Sequence, residues 1–446
     1  MTNMMNTAIK IINKLKSHNH TAVIAGGAVR DLLLGLDPKD IDIATSATPD
    51  TVEKLFKHTI PVGKQFGIIV VIENGIEFEI ATFRQDSKSG DGRRPDSVSF
   101  SSMEEDAKRR DLTINGLFLD PTTDKVFDFV GGREDIEHGL ISFIGNAEER
   151  IEEDRLRILR AVRFAARLNF DMDDEARKAI KNNAHRIHDV SVERIKSEID
   201  KMMKASKPSV AFEMMREFGL LKHIMPEVDA MWGQKQGPKW HSEGNLETHV
   251  MMVLDATRKK TSEIPTLWAA LLHDVGKPTT AVLKEDGINH SFHGHDKVGA
   301  EMAEEIMKRF KSSNREIDTV VGVIADHMKS GIARDMKKST LRKFIAQPHF
   351  EQLMHVFEAD CESSIPADPD RADSKMDGVV FLKEKKEEVG EVKELPKPFI
   401  TGRHLIDMGM KPGPEFKSIL DNMMDKQLEG KFETVDEAIE ALRREV

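Results

Sequence analysis

Asp40 and Asp42, in the DID run that follows the segment GGAVRDLLLG, are the residues whose types and spacing most directly suggest chemistry. Residues i and i+2 of a strand point to one face, so a strand over Asp40–Ala44 would project both carboxylates side by side. Such a pair repels itself unless a cation lies between the two groups. Hard oxygen donors at that spacing suit Mg²⁺, which binds through a carboxylate or two together with substrate phosphates. Ions held there could clamp the attacking and leaving oxygens of a phosphoryl transfer. A third carboxylate is expected from a neighbouring strand in EFEIATFR, where Glu79 is the better placed and Glu77 the alternative. Upstream, the Gly26-Gly27 turn would let backbone N–H groups approach a triphosphate, with Arg30 close by. The turn is not a P-loop, because the Gly-Lys-Ser/Thr ending is missing. Taken alone, the DID run favours a surface pair beside a tight turn, since so short a motif matches by chance; the glycine turn and the later elements reverse that.

A second group of chemically capable residues lies further on: His249, the pair His273-Asp274, His293, His295, His327 and Asp360. The pair sits in LWAALLHDVGKP, which reads as an apolar helix ending at Gly276 with Pro278 behind it. Imidazole and carboxylate ligands together suit Mn, Fe, Ni, Zn or Mg, and the residue types do not choose among them. The order of a His, an HD pair, further His and a late Asp resembles the HD superfamily. That resemblance implies a metal site on His249, His273, Asp274 and Asp360, with His295 and His327 available for a second ion.

These residues must be positioned by elements that the patterning outlines. An amphipathic helix is predicted over residues 8–18, a strand over Thr21–Ala25 and a short helix over Val29–Leu34, stopped by Gly35. Further strands are predicted over Asp40–Ala44, Ile68–Ile72 and Ile76–Thr82. The first part of the chain is therefore mixed α/β, and from Glu148 onward helical periodicity dominates. A chain of 446 residues exceeds one ordinary core. Breaks near Lys207-Pro208, Gly233–Pro238 and 365–369, with a Lys/Glu-rich stretch over 383–397, suggest regions 1–147, 148–232, 233–365 and 366–446. The single cysteine, Cys361, excludes a disulfide framework and fits a reducing cytoplasm. The longest apolar run, around Ile68–Ile72, is too short to cross a membrane, and no signal-peptide core precedes it, so a cytoplasmic location is expected. A net charge of −11 argues against broad affinity for nucleic acid. It leaves room for local recognition, because Arg84, Lys88, Arg93, Arg94, Lys108, Arg109 and Arg110 cluster in one stretch, and Arg155, Arg157, Arg160, Arg163 and Arg167 in another.

GGAVRD-LLLG followed by DIDIAT resembles the signature of the class II nucleotidyltransferases, which include CCA-adding enzymes and bacterial poly(A) polymerases. RRPDSVSF, RRDLTING at Arg109–Gly116, DPTTDKVFDFVGGREDI, EDRLRILRAVRFAARLNF and ERIKSEI at Glu193–Ile199 follow in the family's order. Leu112 and Gly116 depart from it, standing where Phe and Ala are commoner. The resemblance implies an α+β protein: a small mixed α/β, polymerase-β-like nucleotidyltransferase head, then an all-helical neck, an HD domain and a helical tail. It implies addition of CCA to tRNA from CTP and ATP without a template, with Mg²⁺ in the head and a divalent transition metal or Mg²⁺ in the HD domain. It implies catalytic roles for Asp40, Asp42 and Glu79, and nucleotide contacts from Gly26, Gly27, Arg30, Arg110, Arg160 and Arg163. PKWHSEGNLETH and SFHGHDKVGAE resemble the linker and mid-domain of members that carry an HD domain, whose expected activity is hydrolysis of a cyclic or terminal phosphate. The polar loop over Gln85–Asp96 is implied in the switch from C to A, which favours complete CCA addition or an A-adding enzyme. A poly(A) polymerase would be expected to carry a long basic segment. No DNA and no membrane partner is expected.

The predicted helix Glu153–Phe170 carries the element to which the resemblance assigns base selection. Ile158, Val162, Ala165 and Ala166 form an apolar stripe, and Arg157, Arg160, Arg163 and Arg167 a neighbouring basic one. Asp154 and Arg157, three residues apart, would form an intrahelical ion pair contributing about 0.5 kcal/mol if the face were merely solvated. The alternative uses hydrogen-bond polarity. Cytosine and adenine each present an NH₂ donor beside an unprotonated ring nitrogen, so Asp154 can accept while Arg157 donates. Uracil and guanine present the opposite polarity and would leave both side chains unpaired, a penalty that discriminates by about 10⁴-fold.

Overall fold

Ala8, Ile11, Ile12 and Leu15 recur at the spacing of one helical face, and all four are buried along α1 (Thr2–Ser17) against the head sheet. The computed structural model describes residues 2–86, 98–237, 241–365, 370–389 and 395–445. Two compact units divide the chain, Met1–Pro226 and Glu227–Val446.

The first unit is built on a seven-stranded sheet. Its strands are β1 (Ala22–Ala25), β2 (Asp42–Thr45), β3 (Thr59–Ile60), β4 (Ile68–Glu73), β5 (Ile76–Thr82), β8 (Leu117–Asp120) and β9 (Lys125–Asp128), in the order β3-β4-β5-β2-β1-β8-β9. A separate hairpin, β6 (Arg84–Asp86) with β7 (Val98–Phe100), is inserted between β5 and β8. Neighbouring strands run antiparallel except β2 and β5, which pair in parallel with Ile43 opposite Ile80. Residues Ile43, Ile69, Val71, Phe78 and Ile80 alternate into the core under α1. Between β1 and β2, Gly26 opens α2 (Gly27–Leu33) at φ 67° and ψ −126°, a backbone conformation that disfavours any side chain. The chain turns out of α2 through Gly35 at φ 70°, the predicted stop.

The first unit also carries the helices α3 (Met103–Lys108), α4 (Ala147–Glu153) and α5 (Arg157–Leu168), with α6 (Val192–Met203) packed beside α5. From residue 148 on, strands among the described residues are confined to two-residue pieces such as Asp171–Met172 and the pair Val282–Leu283 with His290–Ser291. Gly116, one of the departures from the family pattern, is fixed by packing. A Cβ there would lie 2.6 Å from Cγ2 of Val130 and 3.2 Å from Cδ1 of Ile144.

In the second unit α8 (Ile264–Leu272) is buried on all sides from Thr266 to Leu272, as befits a central helix. Around it stand α7 (Leu246–Lys260), α9 (His295–Arg309), α10 (Asn314–Asp326) and α11 (Phe350–Ser363). Trp268 of α8 packs on Phe310 with ring centroids 5.2 Å apart. The predicted helix through Gly276 ends at Leu272, four residues early. His273 caps α8 with helical backbone (φ −57°, ψ −32°), and a turn over 273–276 follows. No described helix is long and apolar enough to cross a membrane. Of the expected loop over Gln85–Asp96, Gln85 and Asp86 belong to strand β6 and 87–96 lie outside the described residues, as do residues 238–240 and all but Ile365 of the break at 365–369.

Candidate functional site

In the first unit the glycine turn, the aspartates and the arginine-bearing helix α5 all line one cavity of about 1030 Å³. Its wall includes Gly26, Gly27, Arg30, Asp40, Asp42, Arg110, Asp154, Arg157, Arg160 and Arg163. The expected strand over Asp40–Ala44 needs correction: β2 begins at Asp42, so Asp40 sits in the approach to it. The alternation nevertheless extends backward, with Asp40 and Asp42 exposed and Ile41 and Ile43 buried. The parallel register sets Ile43 beside Ile80, which places Glu79 one step back beside Asp42. Glu77 lies two residues further along, opposite Ile72 of β4. Although Asp42 reaches solvent, partial desolvation and the negative charges of Glu79 and Asp40 push it up to about 6, against the pull of Arg110. Carboxylates clustered in this way offer hard oxygen donors and suit a divalent cation.

The predicted single helix Glu153–Phe170 is two helices. Asp154 lies in the break between α4 and α5 with extended backbone (φ −154°, ψ 105°), and the expected intrahelical pair with Arg157 does not form. Aspartate favours helix starts because its carboxylate can take a backbone N–H, and Oδ1 of Asp154 accepts from the N–H of Leu156 at 3.1 Å. Its Oδ2 pairs with Arg194 of α6 at 2.7 Å. Arg157 instead donates to Glu153 at 2.5 Å and to the carbonyls of Arg150 and Arg109 at 3.0 and 3.2 Å. A guanidinium carries five donors and a carboxylate about four acceptor sites, so these contacts fix both groups and leave capacity for a ligand.

The other arginines are held by a chain of bonds. Arg30 donates to Oδ1 of Asn115 at 2.6 Å, Asn115 donates to Asp111 at 3.2 Å, and Arg160 donates to the second oxygen of Asp111 at 2.6 Å. Burial would raise the Asp111 carboxyl, but Arg160 and the surrounding donors hold it at about 2. Arg163 pairs with Glu198 at 2.6 Å and lies 4.0 Å from the ring centre of Phe164, with Arg30 at 4.8 Å from the same ring. Gly26 lets Arg110 lie against the turn, since a Cβ there would stand 2.8 Å from Nη1 of Arg110.

The second unit gathers His249 of α7, His273 and Asp274 after α8, His295 of α9, His327 after α10 and Asp360 of α11. Asp274 is central. Its Oδ2 lies 3.2 Å from Nε2 of His273 and 3.7 Å from that of His249, and its Oδ1 lies 3.3 and 3.8 Å from Nε2 of His295 and His327. His249 also approaches Asp360 at 3.1 Å. Nδ1 of His273, His295 and His327 lies 2.8, 2.7 and 2.6 Å from the carbonyl of the residue three positions back. That contact assigns the proton to Nδ1 and leaves the Nε2 lone pairs turned inward. Burial, with the neighbouring His273 and His295, pushes His327 down to about 4, so it is a neutral donor near neutrality. Asp274, despite burial, is kept well below the usual carboxylate range by Lys277 and His273. Imidazoles converging with the buried Asp274 and the half-buried Asp360 fit a divalent ion, or two sharing Asp274. His293 stands apart, exposed at the surface.

The family described as "Poly A polymerase head domain" matches residues 22–142, "Probable RNA and SrmB- binding site of polymerase A" matches 169–231, and "HD domain" matches 246–348. A poly A polymerase head segment, an RNA-binding segment and an HD segment are thus matched in that order along the chain. A CCA-adding enzyme from Bacillus pumilus (strain SAFR-032) is 44% identical over 270 residues, covering 60% of this chain and 63% of that protein. One from Geobacillus sp. (strain WCH70) is 43% identical over 218 residues, 49% of this chain and 54% of that protein. The chain thus spans between half and two thirds of these relatives' length. The solved Bacillus stearothermophilus CCA-adding enzyme in complex with CTP superposes with a TM-score of 0.76 at 27% identity, covering 100% of this chain and 99% of that one. The Thermotoga maritima CCA-adding enzyme complexed with tRNA shares the fold, at a TM-score of 0.60 and 18% identity, covering 99% of this chain and 95% of that one.

Sequence reasoning missed several residues that the geometry brings in. Asp111 and Asn115 lie in the RRDLTING element but carry no signal by themselves, because their partners Arg30 and Arg160 are distant in sequence. In the HD domain Lys277 reaches Asp274 at 2.7 Å, and His241 and Glu243 join His249 as a further candidate metal-binding group. The HSE run before α7 is the available signal for the last two.

Proposed function

We propose that this protein adds the 3′-terminal CCA to tRNA from CTP and ATP without a template, and that its HD domain is a phosphohydrolase acting on 2′,3′-cyclic or terminal phosphates. The observation carrying the first part is the single cavity that brings Asp40 and Asp42 together with Asp154 and Arg157. The match to a poly A polymerase head and the likeness to a CTP-bound CCA-adding enzyme support it. The tRNA 3′-oxygen bonds to the α-phosphorus of the incoming nucleotide and pyrophosphate leaves. Asp40, Asp42 and Glu79 are read as the holders of Mg²⁺, which when bound supplies Lewis-acid stabilisation of the charge developing at phosphorus. Arg30, Arg110, Arg160 and Arg163 counter the triphosphate charge, and their prior ion pairs limit the entropy lost on ordering them. The Gly26-Gly27 turn lets the backbone approach that charge closely. Asp154 accepts from the exocyclic amine of C or A while Arg157 donates to the adjacent ring nitrogen. In the HD domain Asp274 is read as shared between a site on His249, His273 and Asp360 and one on His295 and His327; a divalent ion there supplies an activated water. The four-part division at 147, 232 and 365 and a cytoplasmic setting belong to the same reading.

The direct test supplies tRNA lacking its 3′ end, and tRNA ending in CC, with one labelled nucleotide at a time. Two C additions to the first substrate and one A to the second are expected. Addition of A alone to both would make the protein an A-adding enzyme, and long A tails a poly(A) polymerase.

Base selection makes a separate expectation. Asp154→Ala and Arg157→Ala should each admit UTP and GTP in competition and lower overall rate, because either change removes the unpaired-group penalty against the wrong edge. Competition among the four triphosphates is the measurement. Unchanged selectivity in both variants would remove the base-reading role.

A further inference from the structure

His249 differs from the other imidazoles of the HD cluster in how its outward nitrogen is served. His273, His295 and His327 each follow or open a helix and direct Nδ1 to the carbonyl three residues back. His249 lies inside α7, where the helical ladder runs past it, with its own N–H donating to the carbonyl of Asn245 at 3.3 Å. Its Nδ1 is buried and makes no aligned hydrogen bond, and Oε1 of Glu243 lies 3.0 Å away. The same Oε1 takes Nδ1 of His241 at 2.6 Å. The other oxygen, Oε2, accepts from the N–H of Ile365 at 2.9 Å, and the neighbouring N–H of Ser242 donates to the carbonyl of Ile365 at 2.6 Å. Ile365 follows the end of α11, the helix that carries Asp360. One carboxylate, its side chain 1% exposed, therefore touches the back of His249 and anchors the segment just beyond Asp360.

We infer that Glu243 is a positioning residue for one ion of the pair, the one held by His249, His273 and Asp360, and leaves the ion of His295 and His327 to its own backbone-oriented ligands. The inference rests on the metallohydrolase reading of the HD domain. A ligand imidazole bonded through Nε2 must carry its proton on Nδ1, and a carboxylate there orients the ring and raises its basicity. Glu243 supplies that carboxylate to His249 alone. His273, His295 and His327 have neutral carbonyl partners, which orient but add no charge. The two ions should therefore respond differently to loss of the Glu243 charge. His241 completes the carboxylate's hydrogen bonding from the far side, which leaves it a secondary role.

The test uses the full chain, stripped with chelator and titrated with Mn²⁺ or Ni²⁺ alone, with bound metal counted by elemental analysis and affinities taken by calorimetry. Wild type is expected to bind two ions. Glu243→Gln keeps the shape and removes the charge, and should weaken one ion by about 10–100-fold while the other keeps its wild-type affinity. Glu243→Asp should recover part of the loss, and His241→Phe should change it little. Combining Glu243→Gln with His327→Ala should weaken both sites, which identifies the ion lost in each single variant. A circular-dichroism melt of each variant monitors folding. If wild type binds two ions and Glu243→Gln binds both with unchanged affinity, the positioning role is overturned and the metal reading stands. If wild type binds none, the metallohydrolase reading fails and the inference falls with it.

Discussion

Asp42→Ala is expected to reduce nucleotide incorporation on the order of 10³-fold or more while tRNA binding survives. Asp40→Ala should do the same. Both side chains face the cavity that holds Asp154 and Arg157, and burial together with its acidic neighbours pushes Asp42 up to about 6. Removing one carboxylate relieves that repulsion, so the variants should be at least as stable as the parent; a loss of activity then reports lost chemistry. The β2–β5 register adds a sharper expectation. Glu79, beside Asp42, should behave like the aspartates, and Glu77, opposite Ile72, should tolerate alanine with little effect. The assay is incorporation of labelled CTP into tRNA lacking its 3′ end, with filter retention of the same tRNA as the binding control. Near-normal incorporation by Asp40→Ala or Asp42→Ala would sink the assignment of the head site.

The elements that position this site are legible in the sequence to differing degrees, for physical reasons. β5 is readable to the residue, since Ile76–Thr82 alternates between buried and exposed faces. Patterning places β2 two residues early, because the alternation of Asp40 to Ile43 continues where ladder bonding has not begun. Strands β8 and β9 escape it: Leu117–Leu119 is an unbroken apolar run and Lys125–Asp128 is half-buried beyond its first residue, so neither alternates. The break at Asp154 is hidden because the arginine and apolar stripes keep their helical phase from Arg157 onward, while Asp154 acts as a local acceptor for Leu156. Both metal-capable clusters are visible by residue type and order. The wiring between distant residues is not, as in the chain from Arg30 through Asn115 and Asp111 to Arg160, or the reach of Glu243 to Ile365.

His273→Ala combined with Asp274→Ala should abolish phosphohydrolysis in the HD domain and leave CCA addition to clean tRNA ends largely intact. The first half follows from the geometry at Asp274, whose two oxygens face separate pairs of imidazoles, so that its loss disables both candidate ion sites together. The second half follows because every residue assigned to nucleotide addition lies within Met1–Pro226, and the HD ligands lie within Glu227–Val446. Stability needs separate control. Asp274 is buried and paired with Lys277 at 2.7 Å, and deleting one partner of a buried pair typically costs about 3–5 kcal/mol. Asp274→Asn with Lys277→Met removes both charges and should preserve folding while still removing the shared ligand. The measurement begins with dialysis against chelator. Mg²⁺, Mn²⁺, Ni²⁺ or Zn²⁺ is then restored singly, and 2′,3′-cyclic AMP and a terminal phosphomonoester are supplied as substrates. Wild type should turn over at least one substrate with at least one metal, and neither double variant should do so. No turnover by wild type with any metal, together with no metal bound after purification, would leave the HD domain as a structural body in a working nucleotidyltransferase.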